Sequence, residues 1–211
     1  SLPLLSHCAW DAADAIVAAR PLPGVCQPGA CPLHRPRGAS RKRSRRGRTI
    51  TGMKKQVLIA GGGIAGLAAG IGAARAGWEV RLFERAAVFS EVGAGVQLGP
   101  NVVRRLQSWG LQGALQAVAA FPPRLVVRCA LSGAQLGTLA LGATAVQRYG
   151  AAYASIHRAD LHGLLLQALQ QQPDVHLNLE QTIEGYSASD EAVTVRTHCK
   201  KVIEGDALLG A

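Results

Sequence analysis

Three glycines spaced as Gly61-x-Gly63-x-x-Gly66, with an acid at Glu84, are the residues of this chain whose types and spacing suit a defined piece of chemistry. A glycine turn lets backbone N–H groups approach an anion with no side chain in between. A helix that starts on the turn adds its own free N–H groups and the positive end of its dipole. Gly61 permits the tight turn, Gly63 opens the backbone to a pyrophosphate, and Gly66 lets the helix lie close to the preceding strand. Ile64 and Ala65, the first residues of that helix, contribute their N–H groups. Glu84 follows at about the twenty-residue separation at which an acid accepts hydrogen bonds from ribose hydroxyls, and its charge would repel a 2′-phosphate. Phosphate beside ribose is the chemistry of a dinucleotide.

The elements needed to position these residues are present. Val57-Leu58-Ile59-Ala60 is a short continuous apolar run, suited to a strand covered on both faces. A helix rich in Ala and Leu is expected from Ile64 to Ala76, ended by Gly77, and a second strand from Glu79 to Glu84. The order β, glycine turn, α, β fits within about thirty residues, the length of one such unit. A glycine-rich turn that merely packs a helix on a strand carries the same letters. The strand before, the helix after and the acid at the end of the second strand favour the nucleotide site.

The composition bounds the alternatives. The chain has 211 residues, enough for one domain with a real core, and it is 48% hydrophobic with 25 glycines, which suits an α/β domain with tight turns. The net charge of +10 suggests nucleic acid, but its distribution argues otherwise. Residues 1–52 hold nine basic and two acidic residues, whereas residues 53–211 hold fourteen and eleven, so the excess belongs mainly to one arm around Arg41-Lys42-Arg43-Ser44-Arg45-Arg46. Nucleic acid is therefore an unfavoured partner for the folded part.

Residues 1–52 are expected to be a disordered, basic and Pro-rich leader, with Pro21, Pro23, Pro28, Pro32 and Pro36 breaking any helix beyond the Ala-rich stretch 11–19. Met53-Lys54-Lys55-Gln56 reads as a natural start, and the segment before it is expected to be translated leader sequence outside the native protein. Cys26, Cys31 and His34 match no common zinc spacing, and no metal is expected. No apolar run has the length to span a bilayer, nothing demands an oxidising compartment, and the expected location is the cytoplasm.

Three further motifs carry a resemblance. Phe83-Glu84-Arg85-Ala86 with Phe89-Ser90-Glu91-Val92-Gly93-Ala94-Gly95-Val96-Gln97-Leu98-Gly99-Pro100-Asn101, then Tyr149-Gly150-Ala151-Ala152-Tyr153, then Ser155-Ile156-His157-Arg158-Ala159-Asp160-Leu161-His162, occur in the order found in single-component FAD-dependent aromatic-ring hydroxylases. The chain resembles that family, with salicylate hydroxylase, 3-hydroxybenzoate 6-hydroxylase and 6-hydroxynicotinate 3-monooxygenase as models, over residues 54–211. The resemblance implies an α/β fold: a Rossmann-like FAD-binding domain of the aromatic hydroxylase type with the first strands of a substrate domain. It also implies FAD as cofactor, NAD(P)H as electron donor, and insertion of one oxygen atom from dioxygen into a small phenolic or benzoate-type aromatic.

By the same resemblance, Gly61, Gly63, Ile64, Ala65, Gly66, Glu84 and Arg85 hold the ADP half of FAD. Thr182 helps enclose the adenine, and Arg158 lies near the flavin or pyrophosphate, where a guanidinium suits a diphosphate. The segment Val92 to Gly99, containing Gln97, would pass the flavin ring as a glycine-rich loop. On residues alone, the less favoured reading of Arg158 is a helix-start salt bridge to Asp160 or Glu180, and the loop is equally an ordinary crossover. Gln97 departs from the hydroxynicotinate enzymes, where a catalytic His is expected. An amide cannot titrate, which favours the benzoate-type enzymes as models. No residue is assigned a catalytic role, and His157 and His162 read as structural or exposed. Another FAD-dependent oxidoreductase sharing the βαβ start, or a non-catalytic relic, are the competing readings.

The remaining segments fit helices at Asn101 to Gln107 and Leu111 to Ala119, and a β excursion at about 124–141 with a turn at Ser132-Gly133. Leu161, Leu164, Leu165 and Leu169 mark one helix face as core. Strands are expected at Val175 to Leu179, Thr182 to Ala188 and Val193 to Cys199. Gly205 to Ala211 resembles the family's strand that leads to an Asp-Gly pair at the cofactor, and the sequence ends before that pair. The expectation is thus an incomplete FAD-binding domain over 53–211, truncated before completion, with apolar edges uncovered and little activity alone.

Overall fold

The computed structural model describes residues 17–19, 54–89 and 93–211. Its centre is a five-stranded sheet in the order β1 (Val17–Ala19), β12 (Ala207–Gly210), β2 (Gln56–Ala60), β3 (Glu79–Phe83), β8 (Val175–Asn178). The last four run parallel, and β1 joins β12 antiparallel. Val57, Leu58 and Ile59 are all buried because both faces of β2 are covered, which is why that segment lacks the alternation of a half-exposed strand.

The alternating side chains of β2 enter two separate cores. Val57 and Ile59, with Val80 and Leu82 of β3, face α1 (Ile64–Arg75) and α5 (Arg158–Gln170), and the stripe Leu161, Leu164, Leu165 and Leu169 fills the space between. Leu58, Phe83 and Leu208 face the other way, against Val193 and Val195. Those two valines belong to a three-stranded antiparallel sheet of β9 (Ile183–Ala188), β10 (Val193–Thr197) and β11 (Val202–Gly205). The result is three layers: helices, parallel sheet, antiparallel sheet.

The long excursion between β3 and β8 contains β4 (Gly95–Leu98), α2 (Pro100–Ser108), α3 (Gln112–Val118), the hairpin β5 (Arg124–Arg128) and β6 (Gln135–Ala140), α4 (Ala143–Tyr149) and β7 (Ala154–His157). Pro100 begins α2, where its missing N–H costs nothing.

Most expected elements lie within a residue or two of the observed ones. Four points differ. Half of the segment Val92 to Gly99 is not loop but strand β4, because β7 pairs with it residue for residue from Gly95↔His157 to Leu98↔Ala154. Helix α4 adds to the expected elements, its seven residues carrying no apolar period. Strand β11 was hidden beside β12, from which Asp206 alone separates it. Val17–Ala19, placed within an Ala-rich helical stretch, is instead extended along β12, whose outer edge offers it a ladder. The disorder expected over the rest of 1–52, and the Cys26, Cys31 and His34 group, lie outside the described residues.

Candidate functional site

The parallel strands β2, β3 and β12 end on one side of the sheet, and the candidate site is built on their carboxyl ends, where open α/β sheets place their ligands. Gly61 follows β2, Glu84 follows β3 and Ala211 follows β12. The three exits are tied together: Gly61 N donates to Phe83 O at 2.8 Å, and Ala211 N donates to Ala60 O at 2.8 Å. A cleft of about 430 Å³ opens here, lined among others by Gly61, Gly63, Glu84, Arg85 and Thr182.

The three motif glycines do different work. Gly61 has φ +115°, and a Cβ on it would stand 2.1 Å from the Ala211 carbonyl oxygen. A Cβ on Gly66 would stand 2.0 Å from the Gly61 carbonyl oxygen, so the first turn of α1 can press on the preceding loop only with glycine there. Gly63 is the N-cap of α1; no side chain caps this helix and no acid lies in its first turn, and the positive dipole end faces the cleft. A cleft rimmed by the backbone N–H groups of a helix N-terminus fits an anionic group such as a pyrophosphate.

Glu84 is held in place by the backbone. Its Oε2 accepts from Gly62 N at 2.7 Å and its Oε1 from Ala86 N at 2.9 Å. Partial burial by itself would raise its pKa. The N–H groups of Ala86, Gly62 and Arg85, with the charge of Arg85, outweigh burial and hold the carboxyl below the ordinary glutamate value. Glu84 is therefore a fixed anion at neutral pH, with lone pairs remaining for further donors. The chain beyond β8 closes the other side: Gln181 N donates to Glu84 O at 2.9 Å, which brings Thr182 to the cleft wall.

The other expected residues lie elsewhere. Ile64, Ala65 and Gly66 form the first turn of α1 behind the glycine loop; Ala65 is exposed and Gly66 buried. Gln97 is exposed on β4, opposite Ser155 of β7. Arg158 opens α5; its N donates to Ala94 O at 3.2 Å, and its side chain runs along Gly93, with Cδ 2.9 Å from where a Cβ would stand. Neither Gln97 nor Arg158 lines the cleft. Instead they share the adjoining β4–β7 corner, which also carries the Gly93 to Gly99 segment.

Phe89, Gln181 and His162 are among the cleft residues that sequence reasoning did not assign to the site. His162 did leave a signal, as a polar residue inside the apolar stripe of α5, and it is 4% exposed. His157 caps α5, its Nδ1 accepting from Ala159 N at 3.3 Å. Among the described residues no three His, Cys, Asp or Glu side chains gather as a metal site, and no helix is long and apolar enough to cross a membrane.

Comparisons with known proteins give the family and the fold. The profile of the FAD binding domain family matches residues 54–204. A 6-hydroxynicotinate 3-monooxygenase of Bordetella bronchiseptica is 35% identical over 158 residues, which are 75% of this chain and 40% of that one. A 3-hydroxybenzoate 6-hydroxylase of Polaromonas naphthalenivorans is 35% identical over 155 residues, 74% of this chain and 39% of that one. Among solved structures, the tetrameric form of 2-methyl-3-hydroxypyridine-5-carboxylic acid oxygenase superposes with a TM-score of 0.63 at 23% identity, over 74% of this chain and 39% of that one. The chain thus spans about two fifths of the length of these relatives.

Proposed function

The chain belongs to the FAD binding domain family, and from that premise we propose that it forms the dinucleotide end of the FAD site in an NAD(P)H-dependent monooxygenase acting on a small phenolic or benzoate-type aromatic. The observation that carries this reading is the pairing of an uncapped helix N-terminus with a fixed carboxylate across one cleft: Glu84 Oε2 lies 2.7 Å from Gly62 N. A diphosphate and a ribose differ in what they need, N–H donors for the one and an anionic acceptor for the other, and the cleft offers both side by side.

In this reading the N–H groups at Gly63, Ile64 and Ala65 take the pyrophosphate, and Glu84 accepts from the ribose hydroxyls. Arg85 and Thr182 border the adenosine, and Gly61 and Gly66 keep the turn tight enough for the phosphate to reach it. Arg158 and Gln97, from the β4–β7 corner, stand on the flavin side. Bound FAD would carry electrons from NAD(P)H to dioxygen and deliver one oxygen atom to the ring. The protein's share is to orient the cofactor and keep the dinucleotide immobile. The β5–β6 hairpin at 124–140 would begin the substrate-facing part, the fold of 53–211 being otherwise devoted to the cofactor.

The substrate class rests on two supports. The relatives are named for hydroxynicotinate and hydroxybenzoate hydroxylation, and Gln97 cannot exchange a proton as a histidine would, which favours the benzoate type. A cytoplasmic setting belongs to the same reading, since NAD(P)H is supplied there and the free thiols Cys129 and Cys199 suit a reducing compartment.

Titration with FAD, followed by quenching of flavin fluorescence, tests the cofactor assignment. Saturable binding that ADP-ribose competes away and NADP does not is the expected result. Binding of NADP in preference to FAD would sink the assignment, because Glu84 would then not be repelling a 2′-phosphate.

A further inference from the structure

Gly62 is gripped through both of the peptide groups that flank it, and one of the grips comes from a residue a hundred positions away. Its N–H is held by Glu84, and its carbonyl oxygen lies 2.8 Å from His162 Nε2. A carbonyl only accepts, so Nε2 carries the proton, and a neutral His162 is the Nε2–H tautomer with Nδ1 bare. The imidazole is 4% exposed, sits on the buried stripe of α5 beside Leu161 and Leu165, and meets the Phe89 ring at 6.2 Å between centroids. Phe89 in turn closes over Gly62: a Cβ there would stand 2.5 Å from Phe89 Cε1.

Helix α5 therefore does more than pack against α1. Gly61-Gly62-Gly63 has wide conformational freedom as a bare sequence, and a turn that must present N–H groups to a phosphate has to lose that freedom before the ligand arrives or at its expense. We infer that His162 is a positioning residue for the dinucleotide turn: by donating Nε2–H to the Gly62 carbonyl it fixes the peptide planes of the turn so that the adjoining N–H groups already point into the cleft. The inference rests on the reading of this cleft as the FAD site, but the clamp itself is a property of the free protein. Glu84 completes it from the opposite end, so the same carboxylate that awaits the ribose also orients the phosphate-binding turn.

Two near-isosteric replacements isolate the donor from the volume. His162→Gln keeps an N–H at the place of Nε2, and His162→Met fills similar space without one. Amide hydrogen exchange of Gly62, whose N–H is held by Glu84, in the full chain without ligand is the first readout. His162→Met should exchange faster there by about tenfold, the usual effect of leaving a buried acceptor without its donor, while His162→Gln stays near wild type. The dissociation constant for FAD should rise about tenfold in His162→Met and recover with His162→Gln. Equal exchange in wild type and His162→Met would overturn the clamp, as would equal FAD affinity in the two variants. If no form binds FAD, the cofactor reading fails, and the exchange contrast still decides the clamp. Should His162→Met not fold, ¹⁵N chemical shifts of His162 in the wild type decide it: a protonated Nε2 is expected, and an Nδ1–H tautomer with a bare Nε2 overturns the inference.

Discussion

The glycine turn, which joins β2 to α1, and the β5–β6 hairpin are both short local elements, yet they are held in opposite ways. Around the turn, contacts come from far along the chain: Phe83, Glu84, His162 and Ala211 all reach it. The hairpin is held by its own ladder, with Leu125 opposite Leu139 and Val127 opposite Gly137. On that face Leu125 is 50% and Leu139 58% exposed, with Leu131 at the tip 98% exposed. A two-stranded ribbon with an uncovered apolar face draws little stability from its surroundings. Order in the turn is thus imposed by the whole domain, and order in the hairpin by its local pairing, so damage should spread widely from the first and stay local in the second.

The largest effect expected from this contrast is at Gly66. A methyl there meets the Gly61 carbonyl oxygen at 2.0 Å, a backbone atom that cannot turn aside as a side chain would. Gly66→Ala should push α1 off the turn, lowering stability by about 1–3 kcal/mol, as overpacking does, and abolishing saturable FAD binding. Thermal unfolding together with flavin titration measures both. Unchanged stability and unchanged binding would mean that the turn is not pressed between helix and strand.

How far the sequence disclosed all this follows the same division. The βαβ unit was legible because its signals are local: a continuous apolar strand, glycines at fixed offsets, an acid after the second strand. The stripe of α5 was legible from helical period. What could not be read was pairing between distant segments. Strand β4 became a strand only because β7 lies beside it, and Val17–Ala19 extended only because β12 presents an edge. The role of His162 required knowing that α5 passes under residue 62. Spacing alone puts Glu84 at the end of β3, level with the glycine turn, but its grip on Gly62 N and Ala86 N is a tertiary fact.

An intermediate effect is expected at Glu84. Backbone donors hold its pKa below the ordinary glutamate value in the folded protein. The sign follows: stability from the ionised carboxylate is complete above the unfolded value of about 4.3 and is lost as pH falls through the depressed folded value. Glu84→Gln should weaken FAD binding at neutral pH by about tenfold, since charge-assisted hydrogen bonds are roughly twice as strong as neutral ones. It should also flatten the acid limb of the unfolding curve. An acid limb identical to that of wild type would show that the carboxylate is not what the turn leans on.

The smallest effect is expected in the hairpin, and its smallness is the point. Leu125 and Leu139 face each other across β5 and β6, and a cross-strand apolar pair of this kind is worth about 0.2–1 kcal/mol. Replacing both with threonine keeps the β preference of the strands and removes the apolar pair, so global stability should change by less than about 1 kcal/mol. Urea unfolding followed by tryptophan fluorescence is suitable, since Trp78 and Trp109 both pack against the helical core rather than the ribbon. A loss of several kcal/mol would place those leucines against a packed surface in the folded protein, and the ribbon would then share the turn's dependence on the rest of the domain. A change confined to local amide exchange in residues 124–140 would leave the contrast as drawn: one connection fixed by everything around it, the other standing on its own hydrogen bonds.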